Sequence, residues 1–253
     1  MAMRLTLLSR LRESRLLDAL TSLEMPHLAC LSQMEVYGFG FDVAEFNRQT
    51  KLILDALNLI EKKCNSFTKR VFDLSSPKDI GEVLFVELHL PYERKKIVRR
   101  KGAPWSTCQA QLEKIKSLHP LPGLILLWRK LHSALKCLVQ PLDKSKVWSE
   151  ERSMYRIYST CSIQTATGRI TMHEPNLQTI RKDIALKVDG LSELSDSVVS
   201  LRNVFTASQG YTLLSADYSQ LELRIISHLA SDSVLIPLLN AGGDVFKDIA
   251  SPG

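Results

Sequence analysis

The stretch LLSADYSQLELR, Leu213 to Arg224, decides how this chain is read. An apolar run delivers Asp217 to a turn, and a polar helix start follows at once. The pattern predicts a buried strand that ends in a carboxylate at the edge of a sheet. A hard cation such as Mg2+ takes carboxylate and carbonyl oxygens and leaves its other positions to water and phosphate. The backbone carbonyl of Tyr218 is the next candidate ligand. A second reading makes Asp217 the cap of a helix that begins near Ser219. The stretch alone leaves both open.

On either side of it the texture is mixed. SQLELRIISHLA and SVLIPLLN have helical spacing, whereas SVVSLRNVF and YTLLSAD read as strands around the turn TASQG. Further upstream RSMYRIYSTCSIQTATGRI alternates, is rich in Tyr, Ile, Ser and Thr, and reads as strand and turn. Before about residue 141 the chain reads as helical. Leu28, Leu31 and Met34 keep helical spacing until Gly38 and Gly40 break it. Asp42 and Glu45 form a capping pattern in front of a stripe of Phe46, Ile53, Leu57, Ile60 and Cys64. Ser76 and Pro77 open another helix, and Ser106 with Gln109 is the expected cap of the next. Leu124, Trp128, Leu131, Leu135 and Leu138 lie on one face of a further helix. The fold class is therefore α+β, a helical part followed by an antiparallel sheet, with the boundary near 141–152.

Composition narrows the function. The 253 residues carry 33 Lys and Arg against 27 Asp and Glu, a net charge of +6, which suits a polyanion partner. Five scattered cysteines with no CxxC pair indicate neither a zinc site nor a disulfide framework, and fit a reducing compartment. No apolar run approaches the roughly 18 residues of a membrane span, so no membrane partner is expected. The Arg-rich start resembles a mitochondrial presequence, but Glu13 and Asp18 weaken that reading.

Two more stretches bear chemistry. In QTATGRITMHEPNLQTI, Thr165 to Gly168 make a tight turn that presents Arg169, and Pro175 stiffens the approach to Asn176 and Gln178. Arg, Asn and Gln can donate to the acceptors that every base pair shows in the minor groove. A polar surface loop would look the same. In YERKKIVRRKGAPWS, Lys95, Lys96, Arg99 and Arg100 stand in a dense run of cations. The run is either a solvated loop or an arm that tracks a phosphate backbone.

TATGR and PNLQ, followed about 40 residues later by DYSQLELR, resemble the family A DNA polymerases, and the likeness runs from about Leu16 to the last residue. HPLPGLILLWRK, TATGRITMHEPNLQ, SADYSQLELRI and LLNAGGDVFKDIAS stand closest to the nuclear branch of that family that acts in end joining and translesion synthesis. The resemblance implies a right-handed polymerase fold: a helical remnant over 1–25, a thumb over 26–150, the first part of the palm over 151–231 and the start of the fingers over 232–253. It implies DNA-directed DNA synthesis on a primer–template from dNTPs, with two Mg2+ ions. Asp217 would be the first catalytic carboxylate and a metal ligand, and the Tyr218 carbonyl a second ligand. Gln220 and Glu222 would line the nucleotide pocket, with Glu222 beneath the sugar. Thr167, Arg169, Asn176, Gln178 and Arg202 would hold the DNA near the primer terminus, with Lys95, Lys96, Arg99 and Arg100 on the backbone. Arg224 would support the site. Phe246 stands where bacterial members often carry His, which removes a phosphate contact.

The second carboxylate of that mechanism is not apparent. Glu222 has another role by resemblance, and Asp244 with Asp248 sits at the start of the fingers. In the family it comes from a later hairpin, and the chain stops at DIASPG before it. The expectation is a truncated polymerase, inactive alone. A non-catalytic fragment that binds primer–template is the alternative.

Overall fold

The computed structural model describes residues 2–68, 70–92, 105–188, 191, 196–243 and 245–250. Two compact units divide the chain, 1–211 and 212–253.

The first unit opens with α1 (Ala2–Glu13). A short α2 (Leu17–Ala19) passes through a π-helical turn, Leu20–Glu24, into α3 (Met25–Tyr37). Gly38, at φ 61°, ends α3, and a Cβ there would lie 2.6 Å from the Ile157 carbonyl, so both the backbone angle and the space call for glycine. Asp42 then accepts the Glu45 N–H at 3.0 Å and starts α4 (Val43–Ser66). The Glu45 carboxylate does not return to the cap. It takes hydrogen bonds from Arg48 and Gln49, which hold its pKa at about 2. The stripe expected on α4 is buried from Phe46 to Cys64.

Ser76 caps α5 (Pro77–Glu82) through the Asp79 N–H, with Pro77 in the first turn as expected. A π-helical turn, Val83–Glu87, follows. The next helix, α6 (Gln109–Ile115), differs from expectation. Its N-cap is Cys108 rather than Ser106, and no side-chain cap bond forms. Ser106 is engaged elsewhere: its N–H donates to the Tyr92 hydroxyl at 3.3 Å. The long apolar stretch is α7 (Pro120–Ala134), which continues through a π-helical turn, Leu135–Val139, into α8 (Gln140–Ser145). It buries Leu124, Trp128, Leu131 and Leu138, and the Trp128 indole N–H donates to Glu61 at 2.9 Å. The stripes of α4 and α7 face one another in a core that also takes in Leu84, Leu112 and Ile157.

The sheet draws on both halves of this unit. Strands β1 (Phe39–Phe41), β2 (Lys146–Ser149), β3 (Met154–Ile157) and β8 (Phe205–Thr206) lie in the order β2-β3-β1-β8, all antiparallel. The Gly38–Gly40 segment, expected only as a break between helices, is thus a central strand. Buried Arg156 stitches the region together, donating to the Tyr37 and Gly38 carbonyls at 2.7 and 2.9 Å and to the Ser208 hydroxyl at 3.0 Å. Two small antiparallel pairs complete the unit: β4 (Thr160–Ser162) with β5 (Thr171–His173), and β6 (Ile184–Ala185) with β7 (Val198–Val199). SVVSLRNVF is not one strand. It is β7, a 3-10 turn at Leu201–Val204, and β8, because Leu201 and Val204, three apart, both turn into the core.

The second unit contains α9 (Leu221–Ala230), α10 (Leu235–Ala241) and α11 (Val245–Ala250). YTLLSAD is not a strand: a strand must exchange hydrogen bonds with a neighbour, and none among the described residues pairs with it. Among the described residues no helix is long and apolar enough to cross a membrane.

Candidate nucleic-acid interface and metal-ligand segment

The β4–β5 hairpin builds the first group of candidates. At its tip the Gly168 N–H donates to the Thr165 carbonyl at 3.2 Å, and Gly168 has φ 70°. The Thr165 hydroxyl donates to the Arg169 carbonyl at 2.8 Å. This turn leaves the Thr167 and Arg169 side chains exposed at the tip. Gln178 is a clamp within the same hairpin. Its amide nitrogen donates to the Ile170 carbonyl at 2.9 Å, and its amide oxygen accepts the Met172 N–H at 3.1 Å. One amide N–H of Gln178 is left for a ligand. The Asn176 side-chain oxygen accepts the Gln178 N–H at 3.0 Å, which leaves both of its amide hydrogens to face outward partners. The Ser159 hydroxyl bonds the Pro175 carbonyl at 2.7 Å and anchors the connection. Arg202 reaches the Ile180 carbonyl at 3.5 Å and so supports the backbone downstream of this group. Arg169, Asn176 and Gln178 therefore share one hydrogen-bonded turn cluster.

Asp217 lies in the second unit. Its side chain is exposed, and no hydrogen bond or ion pair is recorded for it among the described residues. It does not cap α9. That cap is Gln220, at φ 56°, with no side-chain cap bond. The capping reading of Asp217 is thereby set aside, and its carboxylate is available to a ligand. Tyr218 is exposed, and Glu222 stands in the first turn of α9. Arg224 supports the turn that follows Asp217: it donates to the Ser219 carbonyl at 2.8 Å and to the Leu239 carbonyl, near the end of α10, at 3.1 Å. A carboxylate beside a backbone carbonyl suits part of a hard-cation shell. Among the described residues no group of three His, Cys, Asp or Glu side chains completes one. Lys95, Lys96, Arg99, Arg100 and Asp244 lie outside the described residues.

The structure adds a feature that sequence reasoning missed. Between α6, α7 and the segment 181–188 lies a cleft of about 460 Å3, lined among others by Lys116, Arg129, Lys130, Ser133 and Arg181, with Glu113 as its carboxylate. Arg129 is fixed by bonds to the Thr107 carbonyl and, at 3.0 Å, to the Thr107 hydroxyl. Burial lowers its pKa. Arg181 reaches the Ser133 hydroxyl at 3.4 Å, and Lys116 stands 3.8 Å from Glu113. Among the described residues Lys130 makes no ion pair. Four cations against one carboxylate in a concave site favour an anion. The signal was present in the sequence: Arg129, Lys130 and Ser133 occupy the positions of α7 left over by the apolar stripe. That stripe drew attention to the buried face alone.

With this geometry in place, comparison with known proteins is informative. Residues 43–252 match the model of DNA polymerase family A. DNA polymerase theta of Mus musculus is 34% identical over 96% of this chain and 12% of its own length. That alignment runs over 302 positions, more than the 253 residues here, so the mouse protein carries insertions that this chain lacks. The thermostable DNA polymerase I of Thermus aquaticus is 31% identical over 94% of this chain and 27% of its own length. Among solved structures, the POL domain of Pol1 from M. smegmatis, in complex with DNA primer-template and dNTP, has a TM-score of 0.68 at 27% identity. It is covered over 39% of its length, and 94% of this chain is covered. The chain thus spans between about an eighth and about a quarter of these curated relatives. It belongs to DNA polymerase family A.

Proposed function

We propose that this chain grips primer–template DNA for a DNA-directed DNA polymerase and contributes the first metal-binding carboxylate. The observation that carries the reading is the basic cleft lined by Lys116, Arg129, Lys130 and Arg181, which suits backbone phosphates. The Arg169 turn, with amide hydrogens of Asn176 and Gln178 beside it, suits the minor-groove acceptors of any base pair. Residues 26–150 serve as the thumb, 151–231 as part of the palm, and 232–253 as the start of the fingers.

Asp217 and the Tyr218 carbonyl would hold Mg2+. When bound, that ion lowers the pKa of a primer 3′-hydroxyl and neutralises charge on the triphosphate. Gln220 and Glu222 face the incoming dNTP, and Arg224 fixes the turn that presents Asp217. Likeness to the theta relative supports a nuclear role in end joining and translesion synthesis.

A labelled primer–template titrated with the chain tests the reading. Lys130→Ala with Arg181→Ala is expected to weaken binding and to flatten the log–log salt dependence by about 2. An unchanged slope would remove the cleft from the DNA path. A second reading, binding without catalysis, is favoured by the absence of a group of three possible metal ligands among the described residues. Primer extension separates the two. No nucleotide addition by these 253 residues alone supports binding without catalysis. Extension that disappears in Asp217→Ala would establish catalysis.

A further inference from the structure

Arg156, in β3, is the one charged side chain that the fold buries among the described residues, with 6% of its surface exposed. Its guanidinium donates to the Tyr37 and Gly38 carbonyls, to the Met154 sulfur at 3.4 Å and to the Ser208 hydroxyl at 3.0 Å. Among the described residues no carboxylate pairs with it. A guanidinium has five N–H donors, so these four acceptors leave one open. Burial lowers the Arg156 pKa, and the like charge of Arg152 adds to this, while Tyr158 and Glu151 offset it in part. Arg152 itself lies over the Tyr37 ring, 4.8 Å from its centroid. A buried cation that lacks an anion is costly to the fold.

Ser208 stands in a turn near the end of the first unit. The Tyr211 N–H donates to the Ser208 carbonyl at 3.0 Å, and Gly210 has φ 82°. Gln209, Gly210 and Tyr211 are exposed, and Ser208 is half-buried, so the turn is open to an enzyme. The Ser208 oxygen accepts from Arg156, and its own hydroxyl proton meets no acceptor among the described residues. We propose that Ser208 is a phosphorylation site whose phosphate is received by Arg156. A serine kinase would transfer the γ-phosphoryl group of ATP. The Ser208 Oγ–P bond forms, the bond from the γ-phosphorus to the β-phosphate oxygen breaks, ADP leaves, and the hydroxyl proton passes to the base of the kinase. Phosphoserine brings close to two negative charges and three acceptor oxygens. One oxygen can take the open N–H of Arg156, and another can replace its long contact with the Met154 sulfur. Such charge-assisted bonds are the strong ones. They would pin the turn to β3 and to the end of α3, just before the segment that leads to Asp217. The inference stands apart from the DNA-gripping reading above.

The first test uses the full chain with phosphoserine installed at position 208 during synthesis. Phosphorus NMR reads the second ionisation of the phosphate, which lies at about 6 in free phosphoserine. In the folded chain it is expected at about 5, and at about 6 in the same chain unfolded by urea. A folded value that is depressed adds stability that is complete above the unfolded value and is lost as pH falls through the folded one. The urea midpoint at about pH 7.5 is therefore expected to exceed that of the unmodified chain, with a smaller gain at about pH 4.5. Arg156→Gln in the phosphorylated chain is expected to return the ionisation to about 6. Should that variant unfold, Arg156→Lys keeps the charge, loses the fork and is expected to return part of the shift. The same ionisation in folded and unfolded chain, or a lowered midpoint, would overturn Arg156 as the receiver. The second test expresses the unmodified chain in cultured eukaryotic cells with phosphatases inhibited. The tryptic peptide 203–224 is then sequenced by mass spectrometry beside a synthetic standard phosphorylated at Ser208. Phosphate localised to Ser208 is the expected result. Detection of the standard with no phosphate on Ser208 of the cellular peptide would overturn the modification.

Discussion

Leu131 and Leu229 both lie on amphipathic helices, yet Leu131 has no exposed surface and Leu229 exposes 78% of its own. The contrast runs through the two units. In the first, the stripe of α7 meets the stripe of α4, and Ile53, Ile60, Leu84, Leu112 and Leu124 are sealed in the core they share. In the second, Leu214, Ile225, Ile226 and Val234 are exposed, and among the described residues only Leu239, Ser227 and Val245 are buried. A helical pattern in sequence predicts the helix. It does not predict that the apolar face finds a cover. Helices α4 and α7 therefore owe their stability to tertiary packing, whereas α9 relies on local terms.

The largest expected effects come from testing that contrast directly. Leu131→Ala should cost about 2–5 kcal/mol, because it removes a fully buried side chain from a packed interior and leaves a cavity. Leu229→Ala should change stability by less than about 0.5 kcal/mol. Urea midpoints at constant m-value report both. A Leu229→Ala cost as large as that of Leu131→Ala would mean that the face of α9 is covered in solution.

The same contrast explains what was legible in the sequence. The long stripes of α4 and α7, with the Asp42 and Ser76 caps, are local and periodic, and they stand where the residues place them. TATGR is a turn because Gly168 and Thr165 make it one locally. The YTLLSAD strand failed because strand formation depends on a partner that the segment does not carry itself. β1 was missed for the converse reason: three residues, the middle one Gly40, have no period, and their strand character comes from β3 and β8 on either side. The candidate site divides in the same way. Asp217 and Arg169 are candidates by motif and spacing, whereas the cleft residues Lys116, Arg129, Lys130 and Arg181 come together only when α6, α7 and residue 181 are folded side by side.

An intermediate effect separates the starts of α7 and α9. His119 Nδ1 accepts the Leu121 N–H at 3.1 Å and caps α7, which requires a neutral ring. Burial lowers the His119 pKa below its ordinary 6.5. The unfolded chain then binds the proton more tightly than the folded one, so folding stability falls as pH drops through 6.5 and continues down to the folded value. Loss of the cap is expected to cost about 1 kcal/mol. His119→Asn, which keeps a capping oxygen, should abolish that pH dependence in urea titrations between pH 7 and 5. Gln220 makes no side-chain cap to α9 and should contribute nothing to it. A slope that survives His119→Asn would assign the proton to another group.

The smallest effect leaves stability alone and reads the first unit by chemistry, since all five cysteines lie within it. Cys64 is buried, and its burial, with Glu61 nearby, pushes its thiol up to about 12. Cys108 is exposed, and its pKa is lowered, first by a hydrogen bond with Ser106 and then by backbone N–H groups at the start of α6. Thiolates rather than thiols are alkylated. Iodoacetamide at pH 7 should therefore modify Cys108 while Cys64 stays unmodified, as peptide mass spectrometry would show. The Cys108 charge also acts on Arg129 in the cleft. If DNA phosphates occupy that cleft, primer–template should slow the labelling of Cys108 and leave that of exposed Cys30 unchanged. Equal labelling of Cys108 with and without DNA would place the duplex elsewhere on the first unit.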